Sequence, residues 1–122
     1  GIGGVFFKAK DPENLSAWYQ QHLGMPFETS MGCAMIQWQQ DHKVDDGGQT
    51  VWMVAKQESD WFAPSSASFM INYRVDDMRA LLAKLDAAGI PLHKGPEDHP
   101  HGIFVWVMDP EGNKVELWEP KA

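Results

Sequence analysis

The chain has 122 residues and a mass of 13.7 kDa, with 43% hydrophobic and 22% charged residues, the composition of one globular domain. Ten basic residues against seventeen acidic give a net charge of −7, and the cations are scattered singly, which excludes a nucleic-acid partner. The longest apolar runs, such as residues 103–108, fall far short of the ~20 residues of a membrane span. No segment reads as a secretory leader, and the single cysteine, Cys33, points to a reducing, cytoplasmic setting.

In chain order, residues 3–10 read as an apolar strand. Asp11 followed by Pro12 is an N-cap with proline at the first helical position. Leu15, Trp18, Tyr19 and Leu23 then recur at helical spacing, and Gly24 stops the helix. Strand candidates follow at 27–29, 31–40 and 50–56, with Asp45-Asp46-Gly47-Gly48 as a hairpin turn. Residues 57–68, holding Trp61 and Pro64 among Ser and Ala, read as a linker. The order then repeats. A strand over 69–75 precedes a helix capped by Asp76 or Asp77, with Met78, Leu81, Leu82, Leu85 and Ala88 as its apolar stripe and Gly89 at its end. Strands at 91–94, 103–108 and 114–119 follow, the last two joined by the turn Asp109-Pro110-Glu111-Gly112-Asn113.

The helix exits match, Leu-Gly-Met-Pro (23–26) against Ala-Gly-Ile-Pro (88–91), at an offset of 65 residues. The chain thus reads as an internal duplication of two modules, 1–56 and 69–120, joined by 57–68. Six Trp and six Phe suggest an aromatic pocket or a subunit interface, for which Trp61-Phe62 in the linker is available.

Phe6-Phe7-Lys8-Ala9-Lys10-Asp11-Pro12, Trp18-Tyr19 and Leu23-Gly24 resemble the opening module of the glyoxalase/bleomycin-resistance/dioxygenase proteins, the vicinal oxygen chelate superfamily. Asp109-Pro110-Glu111-Gly112-Asn113-Lys114-Val115-Glu116-Leu117 resembles its closing hairpin, and the resemblance covers essentially the whole chain. It implies an α+β fold of paired β-α-β-β-β modules with one main helix each. Their eight strands would curl into a cup around a ligand cavity, commonly in a homodimer. It also implies four metal-ligand positions, on the first and last strand of each module. Carried over to this chain, Glu116 matches the carboxylate ligand, its counterpart is Trp52, and the first-strand positions fall on Gly4 and Met70. One carboxylate of four is not a divalent site, so no cofactor is expected. A rearranged site of His99, His101 and Glu97 or Asp98 is where a divalent metal would still find ligands. Otherwise His22, His42, His93, His99 and His101 read as surface or loop residues.

With Glu116 pointing into the cup, strand alternation places Trp52 and Val54 inside, Met70, Asn72 and Arg74 inside, and Gly4, Phe6 and Lys8 inside. Phe7, Ile71, Tyr73, Val115 and Leu117 then pack behind. The candidate ligand-binding residues are Phe6, Lys8, Trp38, Trp52, Met70, Asn72, Arg74 and Glu116, an apolar lining with a few polar groups. Arg74 and Asn72 read as binders of a carboxylate or carbonyl, with Trp38 or Trp52 stacking on the ligand; Arg74 and Glu116 read equally as a cross-strand ion pair. Cys33 has no identifiable activating base and reads as a small buried hydrophobe. The expected function is binding of a small organic molecule in an aromatic cavity without the usual metal site. The alternative is a small lyase, isomerase or dioxygenase-like enzyme using Glu116 as general base or a rearranged metal site.

Overall fold

The structure, a computed structural model, describes residues 2–38 and 48–121; His42 and the expected turn at Asp45-Asp46-Gly47 lie outside them. Strand β1 (Ile2–Ala9) leads into helix α1 (Pro12–Leu23) and then β2 (Phe27–Glu28), β3 (Cys33–Gln37) and β4 (Gln49–Lys56). Strand β5 (Phe69–Arg74) leads into helix α2 (Met78–Ala87) and then β6 (Lys94–His99), β7 (Gly102–Met108) and β8 (Lys114–Pro120). In each half the first strand pairs parallel to the last, β1 with β4 and β5 with β8. An antiparallel β1–β5 join then makes one curled eight-stranded sheet, ordered β2-β3-β4-β1-β5-β8-β7-β6. No helix among the described residues is long and apolar enough to cross a membrane.

Local chemistry sets the element ends. The Asp11 carboxylate accepts the Asn14 N–H at 3.0 Å, Pro12 opens α1, and Gly24 closes it at φ 70°, a left-handed conformation that favours glycine. For α2 the cap is Asp77 rather than Asp76, accepting the Ala80 N–H at 3.0 Å. The Glu119 carboxylate, from β8, accepts the Met78 N–H at 2.8 Å, placing negative charge at the helix N-terminus. Asp109 organises the β7–β8 turn, accepting the N–H groups of Glu111 and Asn113 at 2.9 Å each.

Two expected strands move. The strand read at 31–40 begins only at Cys33, because the Met31 and Gly32 N–H groups turn back onto the Glu28 carbonyl. The strand read at 91–94 is instead Lys94–His99, and it carries Pro96. It lies at the sheet edge, where a missing backbone donor is tolerated.

Two apolar cores flank the sheet. Behind it, Met78, Leu81, Leu82 and Leu85 of α2 pack on Val105, Val107, Val115 and Leu117. On the inner face Phe6, Met70 and Trp106 pack with Phe62. Phe62 comes from the segment between β4 and β5 and is wholly buried, and Trp61 stacks on Phe6 at 4.9 Å. This pair was expected to be available at a dimer interface; the structure folds it into the cup of its own chain, where it covers apolar side chains that would otherwise meet water. Lys114 fastens the segment, its ammonium donating to the Trp61 carbonyl at 2.7 Å.

Candidate functional site

Strand register puts one row of residues across the cup. Met35 pairs with Val51, Val51 with Gly4, Gly4 with Asn72, Asn72 with Glu116, Glu116 with Trp106, and Trp106 with Lys94. Partners in neighbouring strands face the same side of a sheet, and every side chain in this row lines a cavity of about 500 Å³. Gly4 contributes none, which leaves the middle of the row open. The next row, Trp118, Phe104 and Glu97, lines the same cavity together with His99 and His101.

One wall is a ladder of nearly parallel rings. Phe104 lies 6.2 Å from Trp106 at 18° between planes, and 6.2 Å from Trp118 at 14°. Beside it sits Glu116, 3% exposed. One carboxylate oxygen accepts the Asn72 side-chain N–H at 2.7 Å, and the other accepts the Trp106 indole N–H at 2.8 Å. Burial pushes the Glu116 carboxyl above its ordinary range, against the opposing pull of those two hydrogen bonds and of the Lys114 charge. The Asn72 carbonyl oxygen is buried and, among the described residues, accepts no hydrogen bond. It lies against Gly3, where a Cβ would collide with it.

At the mouth, Glu97 joins His99 and Lys94. Its carboxylate meets His99 Nε2 at 2.9 Å and the Lys94 ammonium at 3.3 Å, and the His99 hydrogen bond is the main reason its carboxyl lies below the usual range. Lys94 also stands 5.1 Å from the centre of the Trp106 ring. Below the cavity, burial lowers the Lys114 amine from its ordinary value, helped by the Lys94 charge. Cys33 is buried and its thiol is raised by burial, a poor setting for a nucleophile.

Of the eight candidate residues, the structure brings Phe6, Asn72 and Glu116 to the cavity. Met70 is fully buried in the core beside it. Lys8 faces the same side, but its ammonium lies over Phe62, 5.3 Å from the ring centre. Trp38 donates to the Thr50 hydroxyl at 2.7 Å and carries the Arg74 guanidinium 5.9 Å from its ring; neither lines the cavity. The ion pair read between Arg74 and Glu116 gives way to the two neutral donors on Glu116. Trp52 is turned to the opposite face, 5.0 Å from Tyr19 of α1 and 5.5 Å from Phe7. Its strand supplies Val51 and Met53 to the cavity instead. The two modules align one residue differently on β4 than expected, and a slip of one exchanges the faces of a strand.

The sequence reading missed Trp61, Phe104, Trp106 and Trp118 as lining residues, along with Lys94, Glu97, His99 and His101. The β7–β8 members carried a signal, since the tight turn at 109–113 fixes the register that sets Trp106 opposite Glu116.

The metal positions implied by the resemblance hold Gly4, Val51, Met70 and Glu116 once β4 is faced correctly. A lone carboxylate with both oxygens engaged by Asn72 and Trp106 does not fit a divalent ion. His99 and Glu97 are bonded to each other, and among the described residues no group of three or more His, Cys, Asp or Glu side chains converges.

No curated protein matches the chain. Among solved structures it is similar to a variant of Streptomyces coelicolor methylmalonyl-CoA epimerase in complex with 2-nitronate-propionyl-CoA, at 16% identity and TM-score 0.65 over 99% of this chain and 97% of that one. Methylmalonyl-CoA epimerase from Mycobacterium tuberculosis is similar at 19% identity and TM-score 0.63, over 100% and 89%. A glyoxalase/bleomycin resistance protein/dioxygenase superfamily member from Vibrio splendidus 12B01 is similar at 12% identity and TM-score 0.61, over 98% and 99%. At such identities the likeness is one of fold. A family model matches residues 4–118, from the glycine at the centre of the cup to the last ring of its aromatic wall, and the chain belongs to the glyoxalase-like domain family.

Proposed function

We propose that this protein binds a flat organic molecule in the cup through its own side chains, without a metal ion. The observation that carries this reading is the cavity of about 500 Å³ walled by the parallel rings of Phe104, Trp106 and Trp118. Its volume lies within the range of small-molecule sites, and its mix of apolar walls with a few fixed polar groups is their usual composition. The test is calorimetric titration with a panel of one- and two-ring aromatic compounds. Stoichiometric binding that quenches tryptophan fluorescence and is weakened by Phe104→Ala supports the reading. A panel without a single binder to folded protein overturns it.

A second reading is proton transfer on the bound molecule with Glu116 as base. It is favoured by the buried carboxyl, whose proton affinity is raised by burial, the direction a general base needs, and by fold neighbours that are epimerases. Exchange of solvent deuterium into a bound compound, abolished by Glu116→Gln, would establish it; binding without exchange leaves the first reading alone.

A further inference from the structure

Resting on the binding reading above, we infer that the ligand is a planar nitrogen cation of the amidinium kind, whose forked N–H donors are read by Glu116 and by the side-chain oxygen of Asn72.

Three observations converge on this class. First, Glu116 is a buried carboxylate whose two hydrogen bonds both come from uncharged groups, Asn72 and Trp106. A buried charge is costly until an opposite charge meets it, and although the Lys114 charge is felt at Glu116, the hydrogen bonds of the nearby cations go elsewhere. Lys114 donates to the Trp61 carbonyl, and Lys94 is paired with Glu97 at the mouth.

Second, Asn72 is 3% exposed, lines the cavity, and has a side-chain oxygen that accepts no hydrogen bond among the described residues. A buried acceptor left without a donor is destabilising. This oxygen is buried against Gly3, where the absence of a side chain leaves it room. Beside the aromatic wall the site therefore holds two neighbouring acceptors, the Glu116 carboxylate and the Asn72 oxygen, that a ligand bearing several N–H groups satisfies together by reaching into the floor of the cavity. A forked, charge-assisted donor makes the stronger kind of hydrogen bond to such a pair.

Third, the wall beside these acceptors is aromatic and nearly planar in orientation, suited to a flat delocalised cation. The residue that argued for an anionic ligand, Arg74, stands beside Trp38 and does not line the cavity. The net charge of −7 also favours approach of a cation.

The test compares three probes of one shape: benzamidine, benzamide and benzoate, titrated into the intact protein at about pH 8, where free carboxylates are ionised and the amidine is protonated. The expected result is benzamidinium binding at least about tenfold tighter than either other probe. Glu116→Gln should bring benzamidinium to within about threefold of benzamide, and Asn72→Ala should weaken benzamidinium more than benzamide. Asn72→Ser serves in place of Asn72→Ala if the alanine variant does not fold. Equal affinity for the three probes, preference for benzoate, or benzamidinium binding indifferent to Glu116→Gln overturns the inference while leaving an aromatic-binding cup. Failure of every aromatic compound, the neutral ones included, overturns the binding reading itself.

Discussion

Asn72 donates a 2.7 Å hydrogen bond to Glu116 across 44 residues of sequence, tying β5 to β8 at the centre of the cup. Trp106 does the same from β7, so the carboxylate is gripped from both neighbouring strands by groups that carry no charge. The pair fixes where the Glu116 carboxylate stands beside the aromatic wall of the cavity. It also leaves the amide's own oxygen without a donor.

Glu116→Gln is expected to change how stability depends on pH. In the folded protein Glu116 keeps its proton to a higher pH than it does in the unfolded chain, because burial opposes its ionisation. Its contribution is full below the ordinary carboxylate range and is lost as pH rises through the raised folded value. The charged groups acting on it are Lys114 of its own strand and Glu97 from β6, with Lys94 beside Trp106. The melting temperature of the variant minus that of the parent should therefore climb as pH rises from the ordinary carboxylate range through the raised folded value of Glu116. Asp109, held below the usual range by the hydrogen bonds of its own turn, acts in both proteins alike and cancels. A difference that stays flat or falls with pH contradicts this account of Glu116.

Gly3→Ala is expected to cost about 1–3 kcal/mol, the usual penalty of forcing an extra carbon into a packed site. The new methyl collides with the Asn72 side-chain oxygen and presses on the Trp118 ring. Denaturant unfolding measures the loss. Because Asn72 must shift to relieve the clash, binding of benzamidine should weaken with it, which a defect confined to stability does not produce.

The segment between β4 and β5 is expected to behave as part of the core. Phe62→Ala should cost about 3–5 kcal/mol, as for other fully buried aromatic residues. Lys114→Met removes the donor to the Trp61 carbonyl and should cost about 1–3 kcal/mol, that of losing a half-buried hydrogen bond from a charged group. Limited proteolysis should then cut within residues 57–68 faster than in the parent protein. Unchanged cleavage there would mean that the Lys114 bond does not hold the segment down.

Much of this was legible in the residues, and the part that was not has physical reasons. Asp11, Pro12 and Gly24, or Asp109 through Asn113, act on backbone groups within a few positions, so helix ends and the tight turn follow from local chemistry. Inward placement of Phe6, Asn72 and Glu116 followed from alternation on single strands. Trp52 did not, because placing it required matching β4 to β8, and the match used was one residue short of the 65-residue step between Gly24 and Gly89. The same step taken from Glu116 lands on Val51, which does face the cavity. Strand β6 escaped notice because Gly95 and Pro96 interrupt it and its residues are nearly all polar. The burial of Phe62 depends on surfaces that exist only once both halves of the sheet have met, which no local pattern in residues 57–68 announces.

Phe104, Trp106, Glu116 and Trp118 all stand on one hairpin, running from Gly102 to Pro120 and closed by its own Asp109 turn. The opposite side of the cavity is supplied by Met35, Gln49, Val51 and Met53, three of them side chains that fill space without choosing a partner. Most of the cup's chemical identity is thus written in one stretch of the gene, with Asn72 of β5 its partner outside that stretch. Recombination or directed variation confined to the hairpin rewrites most of what the cup recognises, while the β1–β5 seam that joins the two halves, Asn72 included, stays untouched.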